Sequence, residues 1–227
     1  MKYKRMIIAG TLLSVIGLAS AQTEEAYYVS GKLIYAEHKA KNMDTSARPG
    51  IGAFVSGDNS KKYTSGSVAL GYQFASDWRV EGEYTIPKKN EYTSGSTAFS
   101  TSFNHHKIKA QRLMVNVYKD FYLTPEFGLY ATAGLGVSEL KSSGWQGNES
   151  RQYHKNTDRN ITYSVGVGAT YRPIEKLNID FGYRFVDMGK TESGWNAFGN
   201  ARGLQDEQMK AKVESNELYL GIRYTIP

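Results

Sequence analysis

The sequence predicts an all-β protein: an eight-stranded antiparallel transmembrane β-barrel with short periplasmic turns and four long extracellular loops. Three observations predict it: strict alternation of apolar and polar residues in several segments, connections that alternate between long and short, and a polar face rich in glycine. Alternation with a period of two indicates β-strands with two unlike faces. A closed barrel gives every backbone polar group a partner, as lipid requires.

The first 21 residues are predicted to be a signal peptide, so that residues 22–227 form the barrel domain. Three positive side chains precede an apolar core, residues 6–18, and a small-x-small cleavage site ends at Ala21. This pattern is typical of an exported chain. A membrane anchor is the disfavoured alternative, because the apolar run is shorter than the roughly 20 residues that span a bilayer. The chain has no cysteine, so no disulfide is expected.

The clearest strand signal is a hairpin of residues 161–172 and 177–185. Apolar side chains occupy the odd positions of both halves, while the even positions carry small, polar and charged residues. Only four residues, including Pro173, join the halves. A short connection of this kind predicts a tight β-hairpin.

The rest of the chain repeats this unit. In chain order, the predicted strands are 27–35, 67–74, 78–86, 108–118, 126–137, 161–172, 177–185 and 217–226. The long connections are 37–62, 87–107, 138–160 and 188–212. Because long and short connections alternate, all the long ones lie at one end of the barrel and all the turns at the other, which is the plan of a small outer-membrane barrel.

The polar face is predicted to point into the lumen. A water-facing surface would favour Lys and Glu, whereas this face is rich in Gly, and a narrow eight-stranded lumen needs small residues. A soluble barrel with an apolar interior is therefore the disfavoured alternative. The large residues of this face are charged and of both signs, and we expect them to form an internal charge network: Lys32, Arg79, Glu81, Glu83, Arg112, Asp180, Arg184, Glu217 and Arg223.

Three segments resemble strands of the opacity-type outer-membrane β-barrel family. They are 180–189 (DFGYRFVDMG), 130–137 (YATAGLGV) and 218–224 (LYLGIRY). The resemblance covers essentially the whole mature chain, and these motifs are specific for architecture rather than function. It implies a Gram-negative outer membrane, assembly by the barrel assembly machinery, and relatives that include adhesins and invasins, some of which bind host heparan sulphate or other receptors. Such chains usually finish on an aromatic residue, whereas this one ends Tyr224-Thr-Ile-Pro227.

No catalytic residue, metal site or cofactor is expected. The four histidines all fall in predicted loops or at strand ends, and no His–Ser pattern of a lipid A-modifying enzyme is recognisable. The adjacent histidines His105 and His106 lack a carboxylate partner in the sequence, so solvation is favoured over metal binding. Glu81 and Glu83 face the lumen beside Arg79, and a structural salt-bridge network is expected there rather than an acid–base pair.

The charge of the long connections carries the functional hypothesis. Counted over residues 37–62, 88–109, 139–159 and 190–212, they hold 17 basic and 10 acidic residues, a net charge of +7, whereas the mature chain has a net charge of only +3. Such a surface attracts sulphated glycans or the phosphates of lipopolysaccharide. The predicted ligand-binding residues are Lys61, Lys62, Lys88, Lys89, His105, His106, Lys107 and Lys109. The leading hypothesis is a monomeric adhesin or invasin that binds host polyanions or receptors, with no nucleic-acid partner. A small pore, a purely structural barrel whose loop charges neutralise lipid phosphates, and a lipid A enzyme are the alternatives.

Overall fold

The computed structural model describes residues 25–43 and 53–226. The predicted signal peptide and the terminal Pro227 lie outside these ranges. The strands are β1 (Ala26–Lys41), β2 (Phe54–Ser56), β3 (Ser60–Gln73), β4 (Trp78–Ser96), β5 (Phe99–Tyr122), β6 (Phe127–Gln146), β7 (Asn148–Ile174), β8 (Leu177–Glu192) and β9 (Lys210–Thr225).

Eight of these strands close into a ring. Their order is β4-β3-β1-β9-β8-β7-β6-β5, all neighbours are antiparallel, and pairing between β4 and β5 closes the ring. The short strand β2 adds to the far end of β4, where Phe54 faces Ser96. The predicted eight-stranded antiparallel barrel is therefore confirmed.

Short turns join strands at one end of the ring, which we name the turn end. The amide of Phe74 donates to the carbonyl of Trp78 across the first turn, at 2.8 Å. The hairpin of β7 and β8 forms as predicted, although its turn is only Glu175–Lys176 and the pairing is irregular between Tyr171 and Ile174, on either side of Pro173. The opposite end is the loop end.

The prediction of long loops is wrong for two of the four segments. Residues 87–107 and 138–160 are almost entirely strand, because β4 and β5 remain paired up to Ser96 and Phe99, and β6 and β7 up to Gln146 and Asn148. Gly147, at a φ of 73°, makes the tip of the second hairpin. Both hairpins therefore project from the barrel as continuous sheet.

The outward face divides the strands into two parts. An apolar belt surrounds the turn-end half, and its side chains are exposed, for example Leu33 at 59% and Leu135 at 62%. The belt segments are 27–35, 66–74, 78–86, 112–121, 127–137, 161–171, 177–185 and 217–226. The remaining described residues towards the loop end form the projecting half.

The interiors of the two parts also differ. Inside the belt, most buried side chains are charged, amide, hydroxylic or tyrosine, and Ile34 and Met114 are apolar exceptions. Inside the projecting half, a buried apolar cluster includes Tyr92, Ile108, Leu140, Met188 and Val213. The barrel is therefore filled along its length by two cores of opposite polarity.

Candidate functional site: a charged interior and a basic outer wall

The interior charge network begins near the turn end with two arginines and two aspartates. Arg79 donates to both carboxylate oxygens of Asp120, from Nε at 2.7 Å and from Nη2 at 2.8 Å. Asp180 accepts from Arg223 Nε at 3.3 Å and lies 3.6 Å from Arg79 Nη1. These four side chains are buried and connect β4, β5, β8 and β9 through the lumen.

The middle of the network centres on Glu83. Arg184 donates to both of its oxygens, at 2.7 and 2.8 Å, and Lys32 Nζ lies 2.8 Å away. Arg184 Nε also donates to Glu217 at 2.8 Å, which accepts from Arg112 at 2.6 Å. Each carboxylate therefore has a cationic donor, which is the condition for burying charge.

Tyrosines occupy the remaining space. Tyr118 donates to Glu81 at 3.0 Å, a carboxylate that also pairs with Lys32, and Tyr130 donates to Tyr219 at 2.9 Å. A Cβ on Gly168 or Gly182 would overlap the Tyr130 side chain, so the lack of a side chain at both positions leaves space for this tyrosine. The lumen is thus packed, with small residues opposite large ones.

All the residues predicted for the charge network lie in the interior. Together with Asp120 they comprise five basic and five acidic buried side chains: Lys32, Arg79, Arg112, Arg184, Arg223, Glu81, Glu83, Asp120, Asp180 and Glu217. The sequence interpretation missed Asp120 because it ended the strand at Tyr118. Alternation continues through Asp120 and Tyr122, and following it would have found the residue.

The residues predicted for the basic outer surface do not all share one environment. Lys62, Lys88, Lys89 and Lys109 are exposed. Lys61 forms an ion pair with Asp58. Three positions of the pattern remain. Lys107 is half-buried and lies 3.8 Å from Glu91, and His105 and His106 point to opposite faces of β5.

His106 is a correction to the predicted ligand-binding cluster. It is buried inside the projecting half, and its Nε2 lies within hydrogen-bond distance of Ser142 Oγ. Burial lowers the pKa of His106 to about 3, so the ring is neutral at physiological pH. Because it faces the apolar core, His106 does not belong to the exposed basic surface.

His105 lies on the outer wall in a small aromatic and charged cluster. Its ring stacks on Trp145, with centroids 4.5 Å apart, and Lys107 Nζ lies 4.0 Å from the same indole. His105 Nδ1 also lies 2.8 Å from Glu91, a carboxylate partner that the sequence interpretation did not find. This cluster, His105, Lys107, Trp145 and Glu91, is named the indole shelf.

A cavity of about 160 Å³ lies at the loop end between the hairpin tips and the β8–β9 loop. Phe99, Asn104 and Arg151 are among the residues that line it. Across the described residues, no group of three or more His, Asp or Glu side chains is placed to hold a metal ion. Within the same ranges no helix is long and apolar enough to cross a membrane.

Known proteins resemble this chain over most of its length. PagN of Salmonella typhimurium, named an outer membrane protein, is 27% identical over 234 residues, covering 93% of this chain and 95% of its own. A putative adhesin of Rickettsia bellii is 30% identical over 173 residues, covering 71% of this chain and 75% of its own. The crystal structure of Neisserial surface protein A has a TM-score of 0.53 at 18% identity and covers 90% of this chain and 100% of its own.

The family comparison agrees with the ring, the apolar belt and the charged lumen. The model of the outer membrane protein beta-barrel domain matches residues 7–225. The predicted outer-membrane location and the resemblance to opacity-type barrels are therefore confirmed. The chain belongs to the outer membrane protein beta-barrel family and is integral to the outer membrane.

Proposed function

We propose that this protein is a non-enzymatic surface adhesin or invasin whose projecting half binds host polyanions. The observation that carries the proposal is the outer wall of the β4–β5 and β6–β7 hairpins, which extends beyond the apolar belt and carries exposed lysines. PagN and the putative adhesins of Rickettsia, similar over most of the chain, support the same role. In this proposal the loop end faces outside the cell.

The indole shelf and the exposed lysines provide the chemistry. Sulphates carry negative charge that lysine ammonium groups attract. Trp145 is only 9% exposed, so its indole supports His105 and Lys107 rather than contacting the glycan itself. Lys107 is held over Trp145, and Lys62 and Lys88 are exposed on neighbouring strands. Such contacts predict binding that is dominated by electrostatics and weakened by salt.

Heparin retention tests the proposal. We expect a heparin column to retain the refolded protein at low salt and to release it as salt rises. The double variant Lys62→Ala/Lys107→Ala should elute earlier. The matched control Lys119→Ala/Lys176→Ala removes the same charge at the turn end and should elute with the wild type. No retention of the wild type at low salt contradicts the glycan version, and binding of host cells by expressing bacteria then tests a protein receptor.

The packed interior argues against a pore. The charge network and the apolar cluster both lie across the lumen, and the large members Arg79, Arg184 and Leu140 are at most 2% exposed. We therefore expect planar-bilayer recordings to show little or no conductance. Stable channels of uniform conductance would contradict this expectation.

The interior also supports a role without catalysis. His106 and Ser142 form a His–Ser hydrogen bond, but both are 1% exposed and face the apolar core, where a lipid substrate has no access. The lipid A mass spectrum of cells with and without the protein should therefore be identical.

We further propose that the chain acts as a monomer, is exported by its predicted signal peptide and is inserted by the barrel assembly machinery.

A further inference from the structure

Three lysines form one row across the outer wall. Lys89 on β4 lies directly opposite Lys109 on β5, and Lys109 lies directly opposite Lys141 on β6. All three side chains are exposed. Like charges that face each other across strands destabilise a sheet. We name these residues the boundary lysine row.

Among the described residues, the row has only one acidic partner, shared at its β6 end. Within the described parts of the chain, neither Lys89 nor Lys109 forms an ion pair, and Lys141 meets Glu139 at 3.1 Å. Arg159 also approaches Glu139, at 3.4 Å, so this carboxylate is shared between two cations. The β4–β6 side of the barrel therefore carries uncompensated positive charge.

The other side of the barrel shows that this excess is not a general property of the wall. Lys212 lies 2.6 Å from Asp187 and 3.1 Å from Glu214, and Lys41 lies 2.5 Å from Glu214. Hydrogen bonds to these two carboxylates raise the pKa of Lys212 above its ordinary value. The β8, β9 and β1 wall thus neutralises itself, whereas the boundary lysine row leaves its charge for an external anion.

The height of the row indicates which anion it meets. Lys109 lies four residues towards the loop end from Leu113, the last apolar outward residue of the belt on β5. At about 3.3 Å per residue and a strand tilt near 40°, the row stands roughly 10 Å beyond the belt edge. That depth belongs to the phosphorylated saccharide headgroups of the outer leaflet rather than to free solution.

A groove connects the row to the lipid. It has a volume of about 180 Å³, and its lining includes the apolar Leu113 and Val137 together with Gln111, Arg159 and Glu139. The Glu139 carboxylate is paired with Arg159 and Lys141. The apolar end continues the belt, and Gln111 and Glu139 at the polar end lie one outward position below Lys109 and Lys141 on β5 and β6. This arrangement suits an amphiphile with an acyl chain below and an anionic headgroup above.

We propose that the boundary lysine row and its groove bind the phosphorylated headgroup of lipopolysaccharide in the protein's own membrane. Lys89, Lys109 and Lys141 contact the phosphate oxygens, while Leu113 and Val137 contact acyl chains. The inference rests on the outer-membrane location. Lys89 and Lys109 also belong to the surface proposed to bind host polyanions. As the basic residues nearest the belt, they bind lipid in this inference, and the lysines farther from the membrane remain for the host ligand.

Binding of purified lipid A to the refolded full-length barrel in micelles tests the proposal. The wild type should retain bisphosphorylated lipid A in native mass spectrometry and lose most of it when the lipid is dephosphorylated. Lys89→Ala/Lys109→Ala/Lys141→Ala should weaken retention by roughly tenfold to a hundredfold, since each cation near an anionic surface contributes about 1 kcal/mol. The matched control Lys155→Ala/Lys190→Ala/Lys210→Ala removes three lysines elsewhere in the projecting half and should retain lipid A like the wild type.

Several outcomes would overturn the assignment: equal retention by the row variant and the wild type, equal loss in the control variant, or equal binding of dephosphorylated lipid A. Competition by inorganic phosphate at the lipid concentration would show a free-phosphate site instead. Heparin retention separates this inference from the proposed function. If the wild type does not bind heparin but binds lipid A through the boundary lysine row, only the host-binding role is contradicted. If the wild type binds heparin and the row variant retains lipid A as well as the wild type does, only this inference is contradicted.

Discussion

The belt and the projecting half are built from the same strands, yet they place polarity in opposite ways. In the belt, apolar side chains face outwards and the charge network lies inside. In the projecting half, apolar residues such as Ile108 and Leu140 face inwards and lysines face outwards. The medium outside the wall accounts for the difference. Lipid around the belt requires an apolar exterior, whereas water around the projecting half favours burial of apolar groups.

The reversal is visible as a change of phase within single strands. On β5, Ile108 and Ala110 are buried at even positions, whereas Leu113 and Val115 are exposed at odd ones. On β9, Val213 is buried, whereas the apolar Leu218 and Leu220 are exposed. Because the backbone alternation continues unchanged, the switch of apolar phase marks the membrane boundary. It also predicts that the two halves respond differently to substitution.

Removing a charge from the belt interior should have the largest effect. Glu83→Ala leaves Arg184 and Lys32 without their shared carboxylate in a buried site. We expect a loss of about 3–5 kcal/mol in the free energy of unfolding, because an uncompensated buried charge remains. Urea unfolding in lipid vesicles measures it. The control Glu91→Ala, on the outer wall, should cost less than about 1 kcal/mol. Equal losses would show that the interior network is not a core.

Removing an apolar group from the projecting interior should have the next largest effect. Leu140 is fully buried in the apolar cluster. Leu140→Ala should destabilise the barrel by about 2–5 kcal/mol, through lost burial and the cavity left behind. Leu135→Ala, five residues away on the lipid-facing side, is the matched control and should cost clearly less. A smaller effect at Leu140 would contradict a packed core beyond the membrane.

Acid should weaken the projecting half through His106. The folded state holds the pKa of His106 near 3, below the ordinary value of 6.5. Unfolded chains bind a proton below pH 6.5 that the folded site excludes, so His106 contributes a stability loss as pH falls. At about 1.4 kcal/mol per pH unit, the loss approaches roughly 2 kcal/mol at pH 5. His106→Gln should reduce the acid sensitivity by this amount in urea titrations at several pH values, whereas His154→Gln, on the exposed face, should not. The part due to His38, another buried histidine whose pKa burial lowers to about 4, should remain in both variants.

The smallest effect concerns the outer wall and has the opposite sign. Lys109→Glu places a carboxylate between Lys89 and Lys141 and should stabilise the lipopolysaccharide-free protein by about 0.2–1 kcal/mol. Gln111→Glu, one outward position below and directly opposite Glu139, should destabilise it slightly. Urea unfolding in uncharged micelles at low salt measures both. No gain for Lys109→Glu would mean that solvent already screens the row.

Much of the fold could be predicted because alternation specifies strands and faces locally. The β7–β8 hairpin, the glycines facing the lumen and the position of Arg184 all followed from the period of two. The projecting hairpins did not, because residues 87–107 and 138–160 lack a continuous apolar phase and their pairing depends on the partner strand. His106 was misplaced for the same reason: adjacent residues of a strand face opposite sides, and a basic cluster read along the chain mixes the two.

The sequence by itself determined the strands, their antiparallel order, and the apolar exterior and charged interior of the belt, because each follows from the character of successive residues. Only the tertiary structure decided which charges meet. Arg184 and Glu83 are 101 residues apart in the chain, and Lys89, Lys109 and Lys141 become one row only through the register of three strands. Register and ring closure are properties of several strands together, so no single segment can encode the charge network or the boundary lysine row.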